Sequence, residues 1–192
     1  MRISAGALKG KKIGTRKIFT SKSGAADLRP TSSKVREALF DILRGEIPGA
    51  AFLDLYAGSG AVGIEALSRG AKKTCFVEND KQRAKTLQDF VNKAGLDDKT
   101  SVYQEPVMGF LSRADKSGMI FDIIFADPPY ASEEISEVLS FIDKGSLLRD
   151  DGYVIIEHAS KKPPDNVSLL TLSLIKTYRY GDTMLTRYRK VT

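Results

Sequence analysis

The chain has 192 residues, enough for one domain with a sizeable core, and its 42% hydrophobic and 28% charged residues are ordinary for a globular protein. One cysteine excludes a disulfide framework and a cysteine zinc site, and one histidine excludes a multi-histidine metal centre, so no metal is expected. The net charge of +6 is carried at the ends: residues 1–36 hold ten Lys or Arg against Asp27 alone, and residues 172–192 hold five against Asp182, around an acidic middle. Such ends suit either a surface that docks on phosphates or solvated tails that aid solubility.

Met1-Arg2-Ile3-Ser4 lacks the apolar core of a signal peptide, and no apolar run approaches bilayer length. A cytoplasmic protein without a membrane partner is expected. Residues 1–20 alternate loosely around Gly6, Gly10 and Gly14 and predict a short β-hairpin or extended arm. Residues 21–29 read as a loop. The arm and loop, 1–30, carry Lys9, Lys11, Lys12 and Arg16 as candidate phosphate contacts, and 31–192 form the main domain. Thr31 or Ser32 caps a helix whose apolar positions Val35, Leu39, Ile42 and Leu43 have helical spacing, with Pro48-Gly49 ending it.

Alternation follows. Strands are predicted near 51–56, 73–78, 100–104, 119–126 and 152–157, and helices near 61–69, 80–94, 106–115 and 132–143. Ser168–Tyr178 and Thr183–Lys190, joined at Tyr180-Gly181-Asp182, predict an antiparallel closing hairpin. The pattern argues a Rossmann-like α/β fold: a mainly parallel seven-stranded sheet with helices on both faces and an antiparallel C-terminal hairpin.

Chemistry collects at the ends of three of these strands. The first leads from Asp54 into Ala57-Gly58-Ser59-Gly60 and then a helix, as a nucleotide-binding βα unit begins. Gly58 and Gly60 allow a sharp turn and a close ligand. The second ends at Glu78-Asn79, where an acid can accept both ribose hydroxyls. The fourth ends in Asp127-Pro128-Pro129-Tyr130. There a carboxylate and proline-restricted carbonyls can grip a planar amine, and the ring can stack on a base. Alone, that segment is equally a strand-to-loop turn with a helix-capping Asp. Gly58, Gly60 and Gly63 also fit G-x-G-x-x-G, so a nicotinamide cofactor competes. Two features favour S-adenosylmethionine: Asp54, an acid able to answer an ammonium, and Asp127–Tyr130, for which hydride transfer has no evident use.

The chain resembles the bacterial ribosomal small-subunit RNA methyltransferase D family over almost its whole length. The resemblance rests on Met1-Arg2-Ile3 with Gly10-Lys11-Lys12, Leu28-Arg29-Pro30-Thr31, Val35-Arg36-Glu37-Ala38-Leu39-Phe40, Leu53–Gly60, Glu65–Ala71, Val77-Glu78-Asn79-Asp80, Asp127–Tyr130, Glu157-His158 and Tyr180-Gly181-Asp182-Thr183. It implies an S-adenosyl-L-methionine-dependent transfer to the exocyclic N2 of a guanine in 16S rRNA, with the small ribosomal subunit as partner and a monomeric enzyme. It also implies that Arg29, Pro30 and Thr31 line the same pocket, although Pro30 and Thr31 equally suit a helix start. One departure is that the stretch after the third strand reads Glu105-Pro106 where the family has Gly-Asp. Either Glu105 meets the adenine amine or a backbone group does. The runner-up activity is adenine-N6 methylation of DNA or RNA, since Asp-Pro-Pro-Tyr also serves adenine. More distant readings are a nicotinamide-dependent oxidoreductase and a non-catalytic RNA-binding assembly factor. His158 reads as a strand-end residue satisfied by backbone rather than a proton acceptor. Cys75, Tyr103, Phe110 and Phe121 read as core.

Overall fold

In the computed structural model, which describes residues 2–13, 32–129, 134–161 and 168–191, strands and helices alternate. The strands are β1 (Ala51–Leu55), β2 (Lys73–Val77), β3 (Thr100–Tyr103), β4 (Phe121–Ala126), β5 (Leu148–Ala159), β6 (Leu172–Tyr180) and β7 (Thr183–Lys190). The helices are α1 (Ser33–Ile42), α2 (Ala61–Ser68), α3 (Lys81–Ala94), α4 (Val107–Lys116) and α5 (Glu134–Lys144). They build one seven-stranded sheet in the order β3-β2-β1-β4-β5-β7-β6. The first five strands of that order pair in parallel, and β7 runs antiparallel to both β5 and β6. This is the predicted fold class.

The short apolar runs of β1 and β4 are buried almost throughout, as central parallel strands must be when both faces are covered. Leu53 and Leu55 face the layer of α4 and α5, against Phe110, Leu111, Val138 and Ile142. Phe52 faces the other layer, with Leu39 and Phe40 of α1 and Val62 and Ala66 of α2. From β1 the chain builds outwards through β2 to β3, then crosses back to β4 on the other side of β1. The carboxyl ends of β1 and β4 therefore flank the switch point where ligands bind in such sheets.

Local departures have physical reasons. The α1 helix starts as predicted, with the Ser32 hydroxyl accepting from Val35 N, but it stops at Ile42, well before Pro48-Gly49. There the Leu43 N–H closes the last turn on Leu39 O, and Leu43 and Ile47 turn into the core. Among the described residues of the N-terminal arm, pairing is limited to one antiparallel bridge, Arg2 with Lys12. Ile3 and Ile13 are buried against Ile64, Phe76, Leu87 and Val91, so this segment packs on α2 and α3. The β5 strand begins at Leu148, earlier than its periodicity suggests, and its register with β4 shifts near Phe121.

Candidate active site

The glycine turn is held by the two strands beside it. Leaving β1, Ala57 N bonds Val77 O at 2.9 Å, and Gly58 N donates to Glu78 Oε2 at 2.8 Å. Gly58 and Gly60 sit at φ +55° and +71°, conformations that L side chains rarely adopt. A Cβ on Gly58 would meet only Tyr56 O, at 3.9 Å, so the turn is open on that side. Gly63 has a different task. A Cβ there would lie 2.3 Å from the Phe76 ring, so its missing side chain lets α2 lie close on β2. Ser59 is buried.

Glu78 joins three elements. Its Oε1 accepts from Asp80 N at 2.8 Å, and its own N–H bonds Tyr103 O, so one carboxylate orders the glycine turn and the start of α3 together. Asn79 is exposed beside it, and its carbonyl accepts from Gln104 Nε2. Asp54, read from sequence as a partner for an ammonium, is 1% exposed, and its Oδ2 accepts from Gly63 N at 2.8 Å. It holds the first turn of α2 from inside. Burial pushes its carboxyl well above the usual carboxylate range, against the lowering effect of the Gly63 bond, and Asp127 and Glu78 push the same way.

On the other side of β1, the register Leu55–Ala126 sets Asp127 directly beyond the end of the neighbouring strand. Asp127 is half-buried, Pro128 buried and Pro129 exposed. Tyr130 lies outside the described residues, as do Arg16, Arg29, Pro30 and Thr31. Between the glycine turn and Asp127 sits Tyr56, whose hydroxyl donates to Glu134 at 2.7 Å. Burial and that carboxylate push its phenol above the ordinary range, so it stays a donor. Sequence reasoning passed over Tyr56, because neither its φ nor its distant partner leaves a signal in the sequence.

Glu105 turns to α4: its Oε1 accepts from Arg113 at 2.6 Å, and that guanidinium lies over the Tyr103 and Phe110 rings. Cys75 is half-buried, with its thiol pushed up to about 11 by burial. His158 is buried, 2.8 Å from Thr186 Oγ1 and 3.1 Å from Ala159 O, so a strand side chain shares with backbone the role expected of backbone alone. Among the described residues no cluster of His, Cys, Asp and Glu could hold a metal ion, and no helix is long and apolar enough to cross a membrane.

Both basic ends mix paired and exposed cations among the described residues, and Lys176 and Arg179 are exposed and enter none of the ion pairs there. Arg187 pairs with Glu46 and lies on the Tyr153 ring, Arg189 pairs with Asp151, and Lys190 donates to the Gly145 and Leu148 carbonyls. Lys9, Lys11 and Lys12 are exposed and enter none of the ion pairs among the described residues. Their segment is fastened to α2. Buried Glu65 accepts from Ser4 N, Ser4 Oγ, Ala5 N and Arg69 Nε, and Ser68 accepts from Leu8 N. Burial alone would raise the Glu65 carboxyl; the Ser4 bonds and Arg69 outweigh it and hold the carboxyl below its ordinary value.

Comparison with known proteins shows what the whole chain is similar to. The family model described as Conserved hypothetical protein 95 matches residues 1–189. The chain is 32% identical to "Putative rRNA methyltransferase YlbH" of Bacillus subtilis (strain 168), over 99% of each chain. It is 34% identical to ribosomal RNA small subunit methyltransferase D of Escherichia coli (strain K12), over 82% of this chain and 74% of that one. The solved structure of a hypothetical protein from Thermus thermophilus superposes with a TM-score of 0.77 at 31% identity, covering 97% of this chain and 98% of the other.

Proposed function

The chain belongs to the Conserved hypothetical protein 95 family and is homologous to ribosomal RNA small subunit methyltransferase D, and from that premise we propose that it methylates the exocyclic N2 of a guanine in 16S rRNA, in the assembled or assembling small subunit. The observation that carries this reading is the meeting of two chemistries across the end of β1. The Glu78-braced glycine turn lies on one side and Asp127-Pro128-Pro129 on the other, at the switch point of the sheet.

The cofactor is S-adenosyl-L-methionine, which supplies a methyl group already activated by its sulfonium. Ala57, Gly58, Ser59 and Gly60 hold its methionine end. The outer lone pairs of Glu78, with Asn79 beside it, take the ribose hydroxyls. Asp54 acts from beneath the turn, shaping it through its bond from Gly63 N. Glu105 gives one oxygen to Arg113, and either its other oxygen or a backbone group holds the adenine amine. A guanine amine is a poor nucleophile, because its lone pair is delocalised into the ring. The Asp127 carboxylate and the Pro128 carbonyl accept its two N–H bonds and draw the nitrogen towards a geometry with an available lone pair. Tyr130 stacks on the flipped-out base. Lys9, Lys11, Lys12 and Arg16 dock on phosphates, and Arg29, Pro30 and Thr31 line the base pocket.

The test is methyl transfer from radiolabelled S-adenosylmethionine to small ribosomal subunits from cells lacking this gene, followed by nucleoside analysis. Label in N2-methylguanosine at one site is expected. Label in N6-methyladenosine would move the activity to adenine, and no label on a chain that binds the cofactor would remove the rRNA assignment.

A further inference from the structure

Among the described residues, Tyr56 and Asp151 are the two non-glycine residues at positive φ, and Tyr56 lies at +59°. A bulky side chain in this region is strained, and such strain persists only where surrounding contacts over-determine it. Two contacts do so here. The ring packs against the core cluster that includes Ile135 and Val138 of α5, and the hydroxyl donates to Glu134, the first residue of that helix. Tyr56 directly follows Leu55, whose strand partners are Val77 and Ala126. Its backbone therefore stands between Glu78 and Asp127, while its side chain reaches the helix that begins a few residues after Asp127-Pro128-Pro129.

We propose that Tyr56 is a positioning residue for the transfer step: its hydroxyl on Glu134 fixes the start of α5 against the end of β1, and so sets Asp127 and Pro128 relative to the glycine turn. The inference rests on the methyltransferase reading of that site. A neutral donor on an exposed carboxylate adds little to global stability. Misplacing reacting groups by about an ångström, in contrast, can cost about a hundredfold in rate. The two effects are therefore separable.

Tyr56→Phe keeps the ring and the backbone and removes only the hydroxyl. Three readouts are compared with the unaltered protein: S-adenosylhomocysteine affinity by calorimetry, hydrogen exchange at Val138 and Leu139, whose N–H groups bond back to the first turn of α5, and steady-state transfer to small ribosomal subunits. Affinity is expected to stay within about threefold, exchange to rise about tenfold, and kcat to fall about tenfold or more with KM for the particle unchanged. Glu134→Ala should reproduce these changes, and Glu134→Gln, whose amide oxygen still accepts, should restore most of kcat. Unchanged exchange in Tyr56→Phe would overturn the tether. Raised exchange with unchanged kcat would overturn the positioning role. If the unaltered protein labels no rRNA, the functional reading fails instead, and the exchange comparison still decides whether the hydroxyl fixes α5.

Discussion

At the scale of single residues, two carboxylates a strand apart do opposite work. Asp127, proposed to accept from the amine, is half-buried just beyond the end of β4, whereas Asp54 is sealed beneath the glycine turn. Asp127→Ala should leave S-adenosylhomocysteine affinity within about threefold and lower kcat by about a hundredfold or more, because the lost acceptor acts where charge develops. Calorimetry and single-turnover transfer read the two quantities separately. For Asp54 the expectation concerns stability. Its native carboxyl is raised above the unfolded value, so between those two values the native state holds a proton that the unfolded chain has released. Stability therefore falls as pH rises through that window. Asp54→Asn keeps an acceptor for Gly63 N without the buried charge. Its melting temperature should match or exceed that of the unaltered protein at pH 7, and the advantage should shrink as pH drops towards about 4. A loss of stability at pH 7 would mean that the charge itself is needed there.

At the scale of elements, the informative contact is the grip of α2 on the N-terminal segment. Gly6 comes so close to this helix that a Cβ would fall 1.7 Å from Ser68 O, and it sits at φ +81°. Glu65 adds four accepted hydrogen bonds and pairs with both Arg69 and Arg36. Removing its charge would leave two cations without their buried partner, so Glu65→Gln should cost about 3 kcal/mol at pH 7. Because the Glu65 carboxyl is held below its ordinary value, that contribution is present at neutral pH and is lost as pH falls below about 4.5 through the native value. Denaturant melts of the two proteins at pH 7 and pH 4 test this, and a gap that widens in acid would contradict it.

At the scale of the whole molecule, net charge misleads until its partners are known. Arg187, Arg189 and Lys190 are spent on Glu46, Asp151 and backbone carbonyls, whereas Lys9, Lys11 and Lys12, like Lys176 and Arg179, stand exposed, the three lysines on a segment fastened to α2. If these lysines meet rRNA phosphates, replacing all three with alanine should reduce the slope of log affinity against log salt by about two to three. Arg189→Ala, which breaks an internal pair, should leave that slope unchanged. Filter binding to small ribosomal subunits across a salt series separates the two cases. An equal change in both variants would mean that overall charge, not this segment, drives docking.

The order of strands and helices was legible in the chain because hydrophobic periodicity is local: the apolar runs of β1 and β4 and the spacing of Val35, Leu39 and Leu43 require no distant partner to be read. The glycine turn and Asp127-Pro128-Pro129 were legible for the same reason, since each is a contiguous string at a strand end. Their convergence followed from a general rule of parallel sheets. Tertiary structure alone decided whatever depends on residues far apart in sequence. It turned Asp54 inward to Gly63, placed one oxygen of Glu105 on Arg113, tied Tyr56 to Glu134, and paired Arg187 and Arg189 internally while leaving Lys9, Lys11 and Lys12 exposed. Burial and pairing set the chemistry of a charged group, and neither is a property of its neighbours along the chain.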